Sequence, residues 1–195
     1  MQKFLDWLER VLTPLAKVIG ENKYLVAIRD GFLLSTPLLI VGSVFLLIAN
    51  FPLPQWDTWM SHLLGKDWAT MMSVPASASF DVMTILAVVG IAYSLGKQFN
   101  VDAMQAGIIA LVSFFIVTPY QTLFTPENSS KVYEVTSLPL KWMGSSGLFL
   151  GMIVALIATR LFVAIVRKGW TIKMPEGVPP TVVKSFEALI PSFLV

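Results

Sequence analysis

Little in this chain has the makings of covalent chemistry. Its one histidine, His62, stands far from any second base or metal ligand. Group transfer needs a nucleophile or base held beside its partners, so His62 reads as a solvated loop residue. The sequence has no cysteine, which rules out disulfides, thiolate metal sites and a cysteine nucleophile. It holds neither a glycine-rich phosphate loop nor a metal-ligand cluster. The expectation is a chain with no catalytic residue, no metal and no cofactor. Two polar residues stay in view, Ser79 and Asp81, because the sequence around them is apolar. An ionisable residue at membrane depth is a functional hypothesis by default, in which the pair lines a polar pathway. In the structural alternative Ser79 caps a helix and Asp81 sits in its first turn, where the helix dipole favours a carboxylate. The structural alternative is preferred.

The elements that must position these residues are membrane spans. Of 195 residues, 55% are hydrophobic and 13% charged, and mean hydropathy is +0.73. A soluble domain averages about 25% charged residues. The charges cluster and leave long runs with none, as expected where a helix needs roughly 20 apolar residues to cross a ~30 Å hydrocarbon core. Residues 1–30 carry both charge signs and no unbroken apolar core, so they do not read as a signal peptide. Within them, Phe4, Leu8, Leu15 and neighbours recur at spacings of three and four. That predicts an amphipathic helix over 3–19 on the membrane face, with a kink at Pro14.

Complete spans are expected at 31–50, 75–96, 103–122 and 144–166, with an incomplete fifth at 185–195. The second is extended back to Pro75, a good first-turn residue, which puts Asp81 in the outer leaflet. The link Lys97–Asp102 is short enough to make spans two and three a tight antiparallel hairpin. The final apolar segment has no polar flank or closing charge cluster, so the chain is expected to be the front part of a longer protein.

Basic residues set the orientation. Lys3, Arg10, Lys17, Lys23, Arg29, Lys97, Arg160, Arg167, Lys168, Lys173 and Lys184 fall on one side of this topology, against Lys66, Lys131 and Lys141 on the other. The N-terminus and the Pro-rich loop at 174–180 are therefore expected to be cytoplasmic. This accounts for the net charge of +2 without a nucleic-acid partner. Trp56, Trp59 and Trp68 lie in the first outer loop, where they would anchor the interface; stacking on sugar rings is the less favoured reading. Gly147, Gly151, Ala155 and Thr159 form a stripe of small residues along the fourth span, with shorter versions at Ala103/Gly107, Ala106/Ala110 and Gly90/Ser94. Such stripes let backbones approach closely in lipid, within a bundle or across a dimer.

Three segments carry a family resemblance: ENKYLVAIRDGFLLSTPLLIVGSVFLL at 21–47, AGIIALVSFFIVTP at 106–119 and MPEGVPPTVVKSFEALIP at 174–191. Together they resemble the membrane component (EIIC) of the bacterial sugar phosphotransferase system, of the lactose/cellobiose/diacetylchitobiose type (EIIC type-3 domain). The Pro-Glu-Gly-Val-Pro-Pro loop feeding a Ser-Phe-Glu helix is the most specific of the three. The resemblance covers 1–195 but only the first half of that domain. It implies a ten-helix homodimer in the bacterial cell membrane, whose first five helices are scaffold and dimer interface. It further implies that the absent second half carries most of the sugar site, including a histidine and a glutamate that neither His62 nor Glu187 matches. Phosphoryl groups would reside on the partner subunits EIIA and EIIB, in keeping with a chain that lacks cysteine. The implied activity is uptake of a disaccharide or β-glucoside such as cellobiose, coupled to phosphorylation by EIIB. EIIB would dock at the cytoplasmic loop near Thr181 and Lys184.

The leading expectation is thus an all-α integral membrane protein, the truncated N-terminal half of such a permease, inactive alone. The alternative is a stand-alone scaffold or dimerisation subunit without transport activity. A small four-helix channel is disfavoured because no ring of polar residues recurs along the spans.

Overall fold

The computed structural model describes residues 20–126, 131–175 and 177–195, together with Thr13 and Lys17. Apart from those two residues, the amphipathic helix expected over 3–19 lies outside the described residues. Helix α1, Lys23–Ala49, begins where the Asn22 side chain accepts hydrogen bonds from the backbone N–H groups of Tyr24 and Leu25. Its 27 residues rise about 40 Å, and Pro37 stays inside it as expected. The short amphipathic α2, Trp56–Leu64, ends at Gly65, whose φ of +93° only glycine adopts without strain.

The second expected span is two helices, α3 (Trp68–Phe80) and α4 (Met83–Gln98). Its helix starts at Trp68 rather than Pro75, which lies inside α3. The two form one apolar stretch of 31 residues, longer than a bilayer core requires, broken at Asp81–Val82. The break follows Ser77, Ser79 and Asp81, short polar side chains that compete with the helical hydrogen-bond ladder.

Helix α4 is the hub. It packs against α1, α5 (Ala103–Val117) and α7 (Leu148–Arg167). Its Ala87, Val88, Ile91 and Ala92 share a core with Ala110 and Phe114 of α5 and Ala155 and Ala158 of α7. Small residues permit this approach. A Cβ on Gly90 would lie 2.5 Å from the Gly31 carbonyl oxygen of α1, and one on Gly151 would lie 2.7 Å from Thr84 Cγ2. The small-residue stripe of the fourth span is therefore spent inside the bundle. Between α4 and α5 the chain reverses in four residues, 99–102. Asn100 takes a left-handed φ of 56°, Val101 N–H bonds back to the Gly96 carbonyl, and Asp102 caps α5 through Gln105 N–H.

Helix α5 stops after 15 residues, earlier than the expected boundary at 122, because Thr118 turns extended ahead of Pro119. The chain then forms an unexpected antiparallel hairpin, β1 (Gln121–Phe124) with β2 (Tyr133–Thr136), pairing Gln121 with Thr136 and Phe124 with Tyr133. A single helical turn, α6 (Leu140–Met143), and a 3₁₀ turn over Ser145–Gly147 lead into α7. Among the described residues three stretches are long and apolar enough to cross a membrane, Lys23–Ala49, Trp68–Gln98 and Ser145–Arg167, and α5 is a shorter apolar helix beside them. The helix expected over the last residues is interrupted. It appears as α8 (Pro180–Glu187) and α9 (Leu189–Leu194), since Pro191 offers no N–H to the Glu187 carbonyl.

Candidate functional site

The polar feature within the bundle is the break between α3 and α4. Ser79 does not cap a helix there. It lies in the last turn of α3, and its hydroxyl donates to the Pro75 carbonyl at 3.0 Å. Nor does Asp81 occupy a first turn. It closes α3 as the C-terminal cap, with its backbone N–H on the Ser77 carbonyl. The preferred sequence reading, a Ser79 cap with Asp81 in the first turn behind it, is thereby corrected: the helix containing Ser79 began eleven residues earlier.

Depth follows from packing. Ser79 Oγ stands 2.8 Å from the place a Gly42 Cβ would occupy. Gly42 lies eleven residues beyond Gly31, the first of the uncharged run in α1, or about 17 Å along the axis. Were that run to span a ~30 Å core, Ser79 would stand about halfway across it.

A second break faces the first. A Cβ on Gly144, between α6 and the 3₁₀ turn, would lie 3.5 Å from Asp81 Cα. Buried Thr84 donates its hydroxyl hydrogen to the Gly144 carbonyl at 2.6 Å. Asp81 and Ser79 themselves face different neighbours, Gly144 and Gly42. The half-buried Asp81 carboxylate has no hydrogen-bond or ion-pair partner among the described residues. Irregular backbone at membrane depth is tolerated where protein covers it or where it lines an aqueous cavity. Among the described residues the arrangement offers hydroxyl and carbonyl oxygens and one carboxylate.

Sequence reasoning missed Thr84, Gly144 and Thr159 as polar sites. Thr159 Oγ1 is a buried side-chain oxygen without a hydrogen-bond partner among the described residues, and in the sequence it counts only as a small residue of the stripe.

At the far end of α3, Trp56, Trp59 and Trp68 separate. Trp68 is buried and donates its indole N–H to Asp57 at 3.0 Å. Trp56 packs on Phe51 and donates to the Ile48 carbonyl. Only Trp59 presents an open indole, 60% exposed, so these residues form no three-ring platform. His62 lies exposed in the last turn of α2 rather than in a loop.

At the opposite end, α8 is held to the α4–α5 turn. Lys184 pairs with Asp102 at 3.2 Å, and Gln105 Nε2 donates to the Lys184 carbonyl. Burial pushes the Asp102 carboxyl up, but the N–H groups of Gln105 and Met104 and the Lys184 ammonium outweigh it and hold it below its ordinary value of 3.8.

The family model for the phosphotransferase system EIIC matches residues 29–195. The chain belongs to the EIIC family. It is 43% identical over its full length to the cellobiose-specific EIIC component of Geobacillus stearothermophilus, of which it covers 44%. It is 42% identical over its full length to the lichenan permease IIC component of Bacillus subtilis (strain 168), of which it covers 43%. The crystal structure of ChbC, the IIC component of the N,N'-diacetylchitobiose-specific phosphotransferase system, superposes on 97% of this EIIC chain. The TM-score is 0.90 at 43% identity, and 44% of ChbC is covered. This EIIC chain thus spans less than half the length of these relatives, corresponding to their N-terminal half.

Proposed function

We propose that this EIIC chain is the scaffold half of a permease that carries a cellobiose-type disaccharide or β-glucoside and presents it to EIIB for phosphorylation. The observation that carries this reading is the end-to-end match to sugar-specific EIIC components more than twice its length. The basic end, with Lys23, Lys97, Arg167 and Lys184, faces the cytoplasm in this account, and EIIB docks there beside α8. Most sugar contacts belong to the other half, and the scaffold pairs with a second copy of itself. The Asp81 carboxylate is met by the remainder of the permease or by water in its pathway, because an uncovered carboxylate at that depth is costly.

The test joins this chain to the C-terminal half of the Geobacillus stearothermophilus relative, in cells lacking their own cellobiose permease but holding EIIA and EIIB. Phosphoenolpyruvate-dependent cellobiose uptake is expected from the fusion and not from the chain alone. A fusion that inserts normally yet leaves cellobiose outside would overturn the proposal. In the same fusion Asp81→Asn lowers uptake if Asp81 borders the pathway; unchanged uptake at equal expression eliminates that role.

A further inference from the structure

Three cations converge on one phenyl ring at the basic end of the bundle. Lys23 Nζ of α1 stands 5.0 Å from the Phe99 ring centroid, Arg160 Cζ of α7 also 5.0 Å, and Arg167 Cζ 5.4 Å. Lys23 and Arg167 each spend one donor on the turn, on the Gln98 and Phe99 carbonyls, both at 3.2 Å. No described carboxylate answers them. Asp102, the acid of the turn, is already engaged by Lys184 at 3.2 Å.

Physical chemistry makes such a cluster incomplete. Three positive groups around one ring repel one another, and the quadrupole of one half-buried phenyl offsets only part of that. Arg160 is the sharpest case. It lies two helical turns before Arg167, about 10 Å deeper along the axis, inside the apolar stretch Ser145–Arg167. Its side chain returns toward the membrane boundary, as long basic side chains near helix ends do. None of its guanidinium N–H groups has a hydrogen-bond acceptor among the described residues. All three basic residues are exposed, so a ligand from outside the bundle can reach them.

We infer that Lys23, Arg160 and Arg167 bind the phosphate of an anionic phospholipid headgroup, with Phe99 as the floor of the site. A phosphodiester brings the missing negative charge and accepts from a guanidinium in two places. A lipid is the source, rather than a free anion, because Arg160 approaches from the apolar side of the boundary, where a headgroup is tethered and dissolved phosphate is scarce. Basic pockets between membrane helices bind anionic headgroups by this chemistry. The inference rests on the chain crossing a bilayer and is independent of sugar transport.

The test is thermal unfolding of the purified chain in neutral detergent, titrated with phosphatidylglycerol, with phosphatidylcholine, and with sodium phosphate at matched ionic strength. Phosphatidylglycerol should raise the unfolding midpoint, while the other two leave it unmoved. Arg160→Gln should weaken the apparent phosphatidylglycerol affinity about fivefold, and Arg160→Gln with Arg167→Gln about twenty-five-fold. Lys66→Gln, at the other end of the molecule, should leave it unchanged. Arg160→Lys keeps the charge and should retain most of the affinity, which guards against loss of fold in the glutamine variant. Equal stabilisation by sodium phosphate would overturn the lipid assignment. Equal response to the two lipids, or an Arg160→Gln affinity matching the parent, would overturn the site itself.

Discussion

Thr84 donates its hydroxyl hydrogen to the carbonyl oxygen of Gly144 at 2.6 Å, a buried bond between residues 60 positions apart. Thr84 opens α4 just after the break at Asp81–Val82, and Gly144 is the break between α6 and the 3₁₀ turn that leads to α7. The two interruptions of the bundle are therefore tied to each other. Thr84→Val keeps the shape and removes the donor, leaving the buried Gly144 carbonyl with only the Gly147 N–H at 3.2 Å. The expected loss is about 1 kcal/mol, in the range of interhelical hydrogen bonds within membranes. Thr84→Ser should recover it. Denaturant unfolding of the three proteins in one detergent checks this, and a Val variant as stable as the parent would show that the bond does not hold the breaks together.

The crossing of α1 and α4 leaves no room for a methyl group. Gly90→Ala would place its Cβ 2.5 Å from the Gly31 carbonyl oxygen, a backbone atom that moves only with its helix. Overpacking of this kind costs about 1–3 kcal/mol. At Gly107 a Cβ would meet Val89 Cγ1 at 3.3 Å and the Val89 carbonyl at 3.4 Å, contacts that relax with a small shift. Gly90→Ala should therefore lower the unfolding midpoint clearly more than Gly107→Ala. The reverse order would contradict the packing described.

The turn between α4 and α5 asks for a residue that tolerates a left-handed backbone, and Asn100 has a φ of 56°. Asn100→Gly should be close to neutral. Asn100→Val should cost about 1–2 kcal/mol, the steric penalty of that conformation for a residue with a Cβ, increased by β-branching. Unfolding midpoints of the pair provide the measurement. Equal stability of the two variants would contradict the assigned turn.

The attachment of α8 should depend on acid. The folded Asp102 carboxyl sits below its ordinary value, so its stabilising contribution is complete above the unfolded value of about 3.9 and fades as pH falls through the lower folded value. Between pH 7 and 5 the contact should be unchanged. Below about pH 4, the protection of amides in residues 180–187 relative to their intrinsic exchange should fall, and Asp102→Asn should show the lower protection already at neutral pH. The effect is modest, under about 1 kcal/mol, because the Lys184 side chain is 62% exposed. Loss of protection already under way between pH 7 and 5 would assign it to another group.

The long spans were legible because lipid dictates them: the charge-free runs after Asp30 and before Arg160 correspond to α1 and α7. The break at Asp81 was not, since a run such as Ala76–Ser77–Ala78–Ser79 suits a lipid-embedded helix as well as its end, and only the packing against Gly42 and Gly144 decides between them. The β hairpin escaped notice because strands of four residues are too short to show an alternation. Asp81 and Ser79 were picked out by residue type and apolar setting, but Thr84 and Gly144 lie 60 positions apart and meet only in the fold. The cations at Phe99 escaped for the same reason: Arg167 reaches the Phe99 carbonyl across 68 positions and Lys23 the Gln98 carbonyl across 75.

Equilibrium binding tests the central claim, that this chain holds a sugar transporter together without itself holding the sugar. Radiolabelled cellobiose should bind saturably to the purified fusion with a relative's C-terminal half and show no saturable binding to the 195-residue chain in the same detergent. Saturable binding of cellobiose by the chain alone, with an affinity matching that of the fusion, would contradict it.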